Sequence, residues 1–386
     1  MIERKLRMGM IGGGRGAFIG SIHRFAAHAD GLISLVSGAL SSSKENALQS
    51  GLDLFLDKER IYVSYEEMIR EEARLPESER MDFVSIVTPN HLHFDTAMLA
   101  LEFGFHVFIE KPITFNLEQA KALQKQLDQS GKILALAHTY VGYPMVKEAR
   151  EWIRTGKIGT PRKVFVNYHQ GWLSELSESE GNKQAEWRTD PARSGKCGAM
   201  GDIGVHAFNL AEYITGAKVT ELCATLNTVV PGRMLDDDGA VLLKFEKNLT
   251  GILTATQVAA GEENNLSIKI YGDKGGLEWH QMEPNTLYYK PLHGPSQTFR
   301  AGSPYNSEIT EFNTRTPGGH PEGYLEAFAN LYRNFALKIA HTQGNQNTSV
   351  VDPEFPGIEE GIRGMAFIES VVASHQSNEK WTQFKV

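Results

Sequence analysis

The chain has 386 residues, 41% hydrophobic and 22% charged, which suits two globular domains with a sizeable core. A net charge of −8 and a pI near 5.9, without any basic stripe, argue against a nucleic-acid partner. Two cysteines without metal-ligand spacing, Cys197 and Cys223, argue against a disulfide framework. The charged opening residues 1–6 lack a signal-peptide apolar region, and no run approaches a membrane span, so a soluble, cytoplasmic protein is expected.

In chain order, Met8-Gly9-Met10-Ile11 reads as a short strand breaking into Gly12-Gly13-Gly14-Arg15-Gly16-Ala17, with a helix over residues 18–29. Strand, glycine turn and helix together are the setting of a dinucleotide turn. Gly12 permits the bend, Gly14 lets the backbone approach a pyrophosphate, and Ala17 allows close helix–strand packing. The helix start supplies amide donors to phosphate. Gly12, Gly14, Arg15 and Ala17 are therefore candidate cofactor contacts. Residues 32–36 read as the second strand and 44–50 as a helix. Between them, Ser41-Ser42-Ser43-Lys44 stands where an NAD site usually carries an acid for the ribose hydroxyls. Ser41, Ser42 and Lys44 suit a 2′-phosphate instead, which leans the cofactor towards NADP with NAD still open. Alternatively, the serines cap the helix that follows.

The alternation continues with a strand at 61–63, a helix at 65–74, a strand at 83–87 and a helix at 93–103. A strand at 106–109, a helix at 117–130 and a strand at 133–137 complete it. This is the pattern of a doubly wound parallel α/β sheet. The strand His106-Val107-Phe108-Ile109 ends in Glu110-Lys111-Pro112. Proline forces the chain out of the ladder, so the Lys111 ammonium is held at a strand's carboxyl end, where open α/β sheets bind ligands. A surface lysine in a loop would look the same in isolation.

From Tyr140 the rhythm changes. A helix at 145–155 and a strand at 164–170 precede an acidic loop, 174–186, and Trp187-Arg188-Thr189-Asp190-Pro191. Gly201-Asp202-Ile203-Gly204-Val205-His206 opens an amphipathic helix. Strands between 220 and 289, without intervening helices, indicate a large, mostly antiparallel sheet, and helices follow at 320–341 and 358–374. The expected domains are 1–139, binding a dinucleotide, and 140–386, an α+β domain for substrate and oligomerisation.

Asp202 and His206, four apart, project from one helical face, where a carboxylate can position an imidazole that removes a proton. The competing reading is an acid favoured by the helix dipole beside a core histidine. His91-x-His93 lacks a third ligand nearby, and Asp236-Asp237-Asp238 reads as a turn before a strand at 240–245, so no metal is expected.

The dinucleotide turn, Thr88-Pro89-Asn90-His91-Leu92-His93, Glu110-Lys111-Pro112 and Gly201-Asp202-x-x-x-His206 occur in that order. Over nearly its whole length the chain thereby resembles the glucose-fructose oxidoreductase / inositol dehydrogenase / MocA family, whose second-domain sheet Tyr271-Gly272-Asp273-Lys274-Gly275-Gly276 also matches. The resemblance implies NAD(P)-dependent hydride transfer with a sugar or cyclitol carbinol, and Lys111, Asp202 and His206 as the catalytic set. It implies nucleotide contacts at Gly12, Gly14, Ser41, Ser42, Thr88, Asn90, His93 and Glu110, beside Lys111. His206 would take the hydroxyl proton, Lys111 would hold the oxygen, and Asp202 would orient substrate or imidazole. Which of Lys111 and His206 first receives the proton is left open.

A polyol pocket needs several donors and acceptors with an aromatic wall. Candidates are His138, Tyr140, Tyr168, Gln170, Arg188, Asn209 and His320. Arg188 could bind a substrate anion, or pair with Glu186 or Asp190. No second phosphate nest is evident, which favours a neutral sugar or inositol. Apolar residues on both faces of the second sheet, as in Val241-Leu242-Leu243 and Ile252-Leu253, point to a homodimer or homotetramer, as does the resemblance. Two other functions compete: a glycoside-cleaving enzyme that oxidises its substrate transiently, and a non-catalytic sugar- or nucleotide-sensing regulator.

Overall fold

The computed structural model describes residues 3–342 and 351–386; Met1 and Ile2, part of the opening segment 1–6, lie outside them. The chain forms two compact units. One runs to Thr139 and includes Leu325–Gly361; the other comprises Tyr140–Tyr324 and Ile362–Val386.

The first unit begins β1 (Leu6–Gly12), α1 (Phe18–His28), β2 (Ile33–Ala39), α2 (Lys44–Asp53) and α3 (Tyr65–Arg74). It continues β3 (Phe83–Val87), α4 (His93–Glu102), β4 (His106–Ile109), α5 (Leu117–Ser130) and β5 (Leu134–Leu136). The strands form one parallel sheet in the order β2-β1-β3-β4-β5. Every residue of β3 and β4 is buried, as a parallel sheet covered on both faces requires. The strand expected at 61–63 is not formed. Only a single bridge joins Ile61 to Gly38, because Ser64 caps α3 directly afterwards.

The second unit contains α6 (Pro144–Arg154), β6 (Pro161–His169), α7 (Lys183–Arg188), α8 (Pro191–Ser194) and α9 (Val205–Thr215). There follow β7 (Val219–Asn227), β8 (Asp238–Phe245), β9 (Thr250–Thr256), β10 (Asn265–Gly272), β11 (Gly275–His280), β12 (Thr286–Pro291) and β13 (Gln297–Arg300). Then come α10 (Glu308–Phe312), α11 (Tyr324–Thr342), which from Leu325 belongs to the first unit, α12 (Ile358–Gln376) and β14 (Thr382–Gln383). The nine strands run β13-β12-β11-β10-β6-β9-β8-β7-β14, antiparallel except for the parallel pair β6–β9. Inward residues such as Val164, Val166, Leu253 and Ile268 are fully buried, and α6 and α9 lie against this face. On the other face Leu242 is 41% and Tyr271 39% exposed.

Three expectations need correction. The acidic segment 174–186 is not loop throughout, because Asn182 accepts from the Gln184 and Ala185 amides and starts α7. The helix expected from His320 begins only at Tyr324, since the Glu322 carboxylate turns back to the Arg315 and Thr316 amides and holds 315–322 as a turn. The second domain does not own all of 140–386. Phe328, Tyr332 and Phe335 of α11 pack into the first unit, with Tyr332 stacked on Phe108 at 3.9 Å between ring centroids. The Tyr332 hydroxyl meets Ser85 at 2.8 Å and His23 at 2.7 Å, satisfying polar groups that β3 and α1 would otherwise bury alone.

Phe335 stacks edge-on against both Phe83 and Phe108. Phe335→Ala is expected to destabilise the first unit by about 3–5 kcal/mol, read as an earlier midpoint in urea unfolding followed by circular dichroism.

Candidate active site

The β1–α1 turn is built for an anion. Gly12 has φ +84°, and a Cβ on Gly14 would fall 2.6 Å from the Leu40 carbonyl oxygen, so side chains are barred where the backbone must stay open. Ala17 caps α1 without any side-chain acceptor, leaving the first-turn amides to an external partner. The Thr88 hydroxyl, at the end of β3, is buried without a hydrogen-bond partner. Uncapped amides, a glycine cradle and an orphaned hydroxyl fit a dinucleotide. Arg15 is paired with Asp53 at 2.7 Å and its amide donates to Ser50. Ser41 accepts from the Ser43 amide and from Asn46, and Ser43 caps α2, while Ser42 and Lys44 are exposed. Helix capping thus engages part of the serine cluster.

Lys111 is half-buried two residues beyond β4, whose ladder extends through the Glu110 amide bonded to the Ile86 carbonyl. The Glu110 carboxylate is fixed at both oxygens, by His23 at 2.9 Å and by the Lys111 amide at 3.0 Å. Burial alone would raise its pKa; the His23 contact and the Lys111 charge outweigh this and hold it below the usual range. His93 is buried, with Nδ1 2.7 Å from the Pro112 carbonyl and Nε2 2.9 Å from that of Thr88. Burial lowers its pKa and favours the neutral ring, whose single N–H bonds one of these two carbonyls at a time. Asn90 is buried in the short turn before α4. His138, just after β5, has its pKa pushed down to about 3 by burial and by the Lys111 charge, so it is neutral at physiological pH.

In the second unit, Asp202 does not sit in the α-helix expected. Residues Met200–Gly204 form a π turn, closed by the Val205 amide on the Met200 carbonyl, and α9 starts after it. The turn is pinned by Asp236, whose buried carboxylate accepts from the Gly198 amide at 2.7 Å and the Met200 amide at 2.8 Å. A Cβ on Gly198 would sit 2.1 Å from the Asp236 carbonyl oxygen, so this approach needs glycine. Asp237 serves elsewhere, on the Val229 and Val230 amides and Arg233, and Asp238 accepts from Asn227. Among the described residues no group of three or more His, Cys, Asp or Glu side chains could hold one.

Asp202 accepts from Gln257 Nε2 at 2.9 Å and lies 3.3 Å from Arg188 Nε, an ion pair not aligned as a hydrogen bond. Arg188 is therefore drawn to Asp202 rather than to Glu186 or Asp190, with its guanidinium 4.2 Å over Trp187 and a bond to Gln184. His206 is 8% exposed, and Tyr140 stands edge-on to it at 5.0 Å, with Tyr168 at 6.3 Å. Tyr140 and Tyr168 are hydrogen-bonded to each other, and both bond to Asn264, as does Gln170. Asn209 is buried on α9, three residues past His206, and His320 is exposed on a turn.

Structure thus gathers Tyr140, Tyr168, Gln170, Arg188, Asp202 and His206 in one unit and adds Asn264, Gln257, Trp172 and Asp236, which sequence reasoning missed. Asn264 lies in the polar run Glu262-Glu263-Asn264-Asn265, which reads as an ordinary turn. Asp236 was visible only as part of an acidic triplet.

Residues 6–138 match the family model described as oxidoreductase family, NAD-binding Rossmann fold, and 146–278 match the GFO/IDH/MocA C-terminal domain. An uncharacterized oxidoreductase of Bacillus subtilis, YfiI, is 31% identical over 100% of this chain and 98% of its own length. Levoglucosan dehydrogenase of Pseudarthrobacter phenanthrenivorans is 27% identical over 74% of the chain and 76% of its own. An inositol dehydrogenase homolog from Azotobacter vinelandii, solved with NAD+, superposes with a TM-score of 0.95 at 31% identity, covering 99% of this chain and 98% of that one. Its complex with NADH and myo-inositol gives 0.92 at 30% identity, with the same coverage. With a Rossmann unit carrying a dinucleotide turn, a nine-stranded second unit and this full-length likeness, the chain belongs to the Gfo/Idh/MocA family of NAD(P)-dependent oxidoreductases.

Proposed function

We propose that this protein is a dehydrogenase that interconverts a CH–OH group and a carbonyl on a neutral sugar or cyclitol, with Lys111, Asp202 and His206 as its catalytic residues. The observation that carries this reading is the wall beside His206. It is made of two phenols and two carboxamides, and the nearby charges of Asp202 and Arg188 are paired with each other. Such a wall matches hydroxyl groups, and the Arg188 cation beside it already faces Asp202 rather than an anionic substrate. The relatives named for levoglucosan and solved with myo-inositol support the same substrate class.

The bound nicotinamide supplies the acceptor for the hydride that leaves the carbinol carbon. His206 takes the hydroxyl proton, and its low exposure keeps water from competing. Lys111 holds the substrate oxygen and stabilises the charge that develops there, with Glu110 and His93 fixing the backbone on either side of it. Asp202, held by Gln257 and Arg188, orients the substrate or the imidazole. Ser41 and Ser43 accept hydrogen bonds at the start of α2 and keep their hydroxyl protons, so the loop suits either cofactor; the relatives solved with NAD+ and NADH lead us to favour NAD. For the assembled protein we propose a homodimer or homotetramer that covers Leu242 and Tyr271 on the open sheet face.

A panel of aldoses, anhydrosugars and inositols, screened with NAD+ and NADP+ in parallel by absorbance of the reduced cofactor, is expected to give turnover with a neutral polyol. NAD+ is expected to bind at least as tightly as NADP+. Reduction of neither cofactor by any polyol, or cleavage of a glycoside without cofactor accumulation, would remove the dehydrogenase reading. With the substrate so found, Lys111→Ala and His206→Asn are each expected to lower kcat by about 10²–10⁴-fold while NADH binding, followed by fluorescence, stays within about threefold. In sedimentation at micromolar concentration the protein is expected to run as a dimer or larger, and Leu242→Glu to shift it towards monomer.

A further inference from the structure

The hydrogen bonds beside His206 run in one direction, and a single indole sets it. An indole N–H can only donate, and Trp172 Nε1 lies 3.0 Å from Gln170 Oε1. The Gln170 amide is thereby oriented, and its Nε2 donates to Asn264 Oδ1 at 2.6 Å. That donor orients Asn264 in turn, which gives Nδ2 to the Tyr140 oxygen at 3.3 Å. A phenol has one proton, and that of Tyr168 goes to Asn264 Oδ1 at 2.7 Å. In the contact between the two phenols Tyr140 must therefore be the donor. A closed cycle results: Asn264 N–H to Tyr140, Tyr140 O–H to Tyr168, Tyr168 O–H back to the Asn264 carbonyl.

Both phenol protons are consumed inside this cycle, so neither phenol donates to a ligand. We propose that Asn264 is a positioning residue that sets the hydrogen-bond polarity of the wall beside His206, making it select ligand hydroxyls, which donate, over carboxylate or phosphate oxygens, which only accept. The inference rests on the polyol reading above and deepens it. The buried, desolvated position of Tyr168, which favours its neutral protonated form, agrees with a committed proton.

The test uses the full chain saturated with NADH, so that nothing turns over, with myo-inositol as the donor-rich probe and glucuronate as the acceptor-bearing probe, both by calorimetry. The wild type is expected to prefer myo-inositol by tenfold or more, about the worth of one or two hydrogen bonds. Asn264→Leu leaves the Tyr168 proton without its acceptor, and Tyr168→Phe does the same for that of Tyr140. Each is expected to reduce the preference by about tenfold through opposite changes in the two affinities. If the wild type prefers myo-inositol but Asn264→Leu and Tyr168→Phe keep the same ratio, the inference falls and the polyol reading stands. If the wild type binds glucuronate instead, or neither probe, both fall together.

Discussion

The parallel pairing of β6 with β9, inside an otherwise antiparallel sheet, is the constraint on which the second unit's chemistry depends. Parallel neighbours end at the same edge, so Tyr168 and Gln170 at the end of β6 emerge beside Gln257 at the end of β9. The antiparallel partners on either side, β10 and β8, begin at that edge and bring Asn264 and Asp236 to it. Five side chains from four segments thus meet without any loop having to cross the sheet. Were β9 antiparallel to β6, Gln257 would lie some seven residues away, at the opposite edge, beyond the reach of any carboxamide.

Electrostatics follow from that geometry. A carboxylate as buried as Asp236 is costly unless its oxygens are met, and two backbone amides of the π turn meet them. The same bonds hold the turn that displays Asp202. Asp202 in turn is tied to Arg188, whose flat cation rests on Trp187. Two of the carboxylates at this edge are therefore met within the unit, Asp236 by amides and Asp202 by Arg188. In the first unit the balance is similar, with Glu110 held between His23 and an amide while burial keeps His138 uncharged beside Lys111.

Much of this was legible in residue order because it depends on local pattern. Apolar runs of four or five residues, such as Phe83-Val84-Ser85-Ile86-Val87, can be covered on both faces only in a parallel sheet, and proline after Lys111 marks a strand end. Tyr140, Tyr168 and Gln170 were legible as polar or aromatic groups at strand ends. What escaped are features decided at long range. The π turn exists because a carboxylate 36 residues from Met200 holds its amide. Arg188 chose Asp202 over acids adjacent in sequence because the α7 turn points it there, and Asn264 carries no local sign that two phenols converge on it. Helix α11 looks amphipathic in either unit; the fit of Phe328, Tyr332 and Phe335 against Phe83 and Phe108 decides that it belongs with the parallel sheet.

That placement has a consequence for biosynthesis. As the chain leaves the ribosome, all five strands of the nucleotide-binding sheet emerge within the first 136 residues, yet the aromatic plug that shields β3 and β4 arrives nearly two hundred residues later. Through that interval Phe83 and Phe108 lack the cover that α11 gives them in the finished fold, and exposed aromatic surface of this kind promotes aggregation in partly folded chains. Vectorial synthesis thus cannot finish one half before starting the other: the cover of the nucleotide-binding half waits on translation of Phe328, Tyr332 and Phe335.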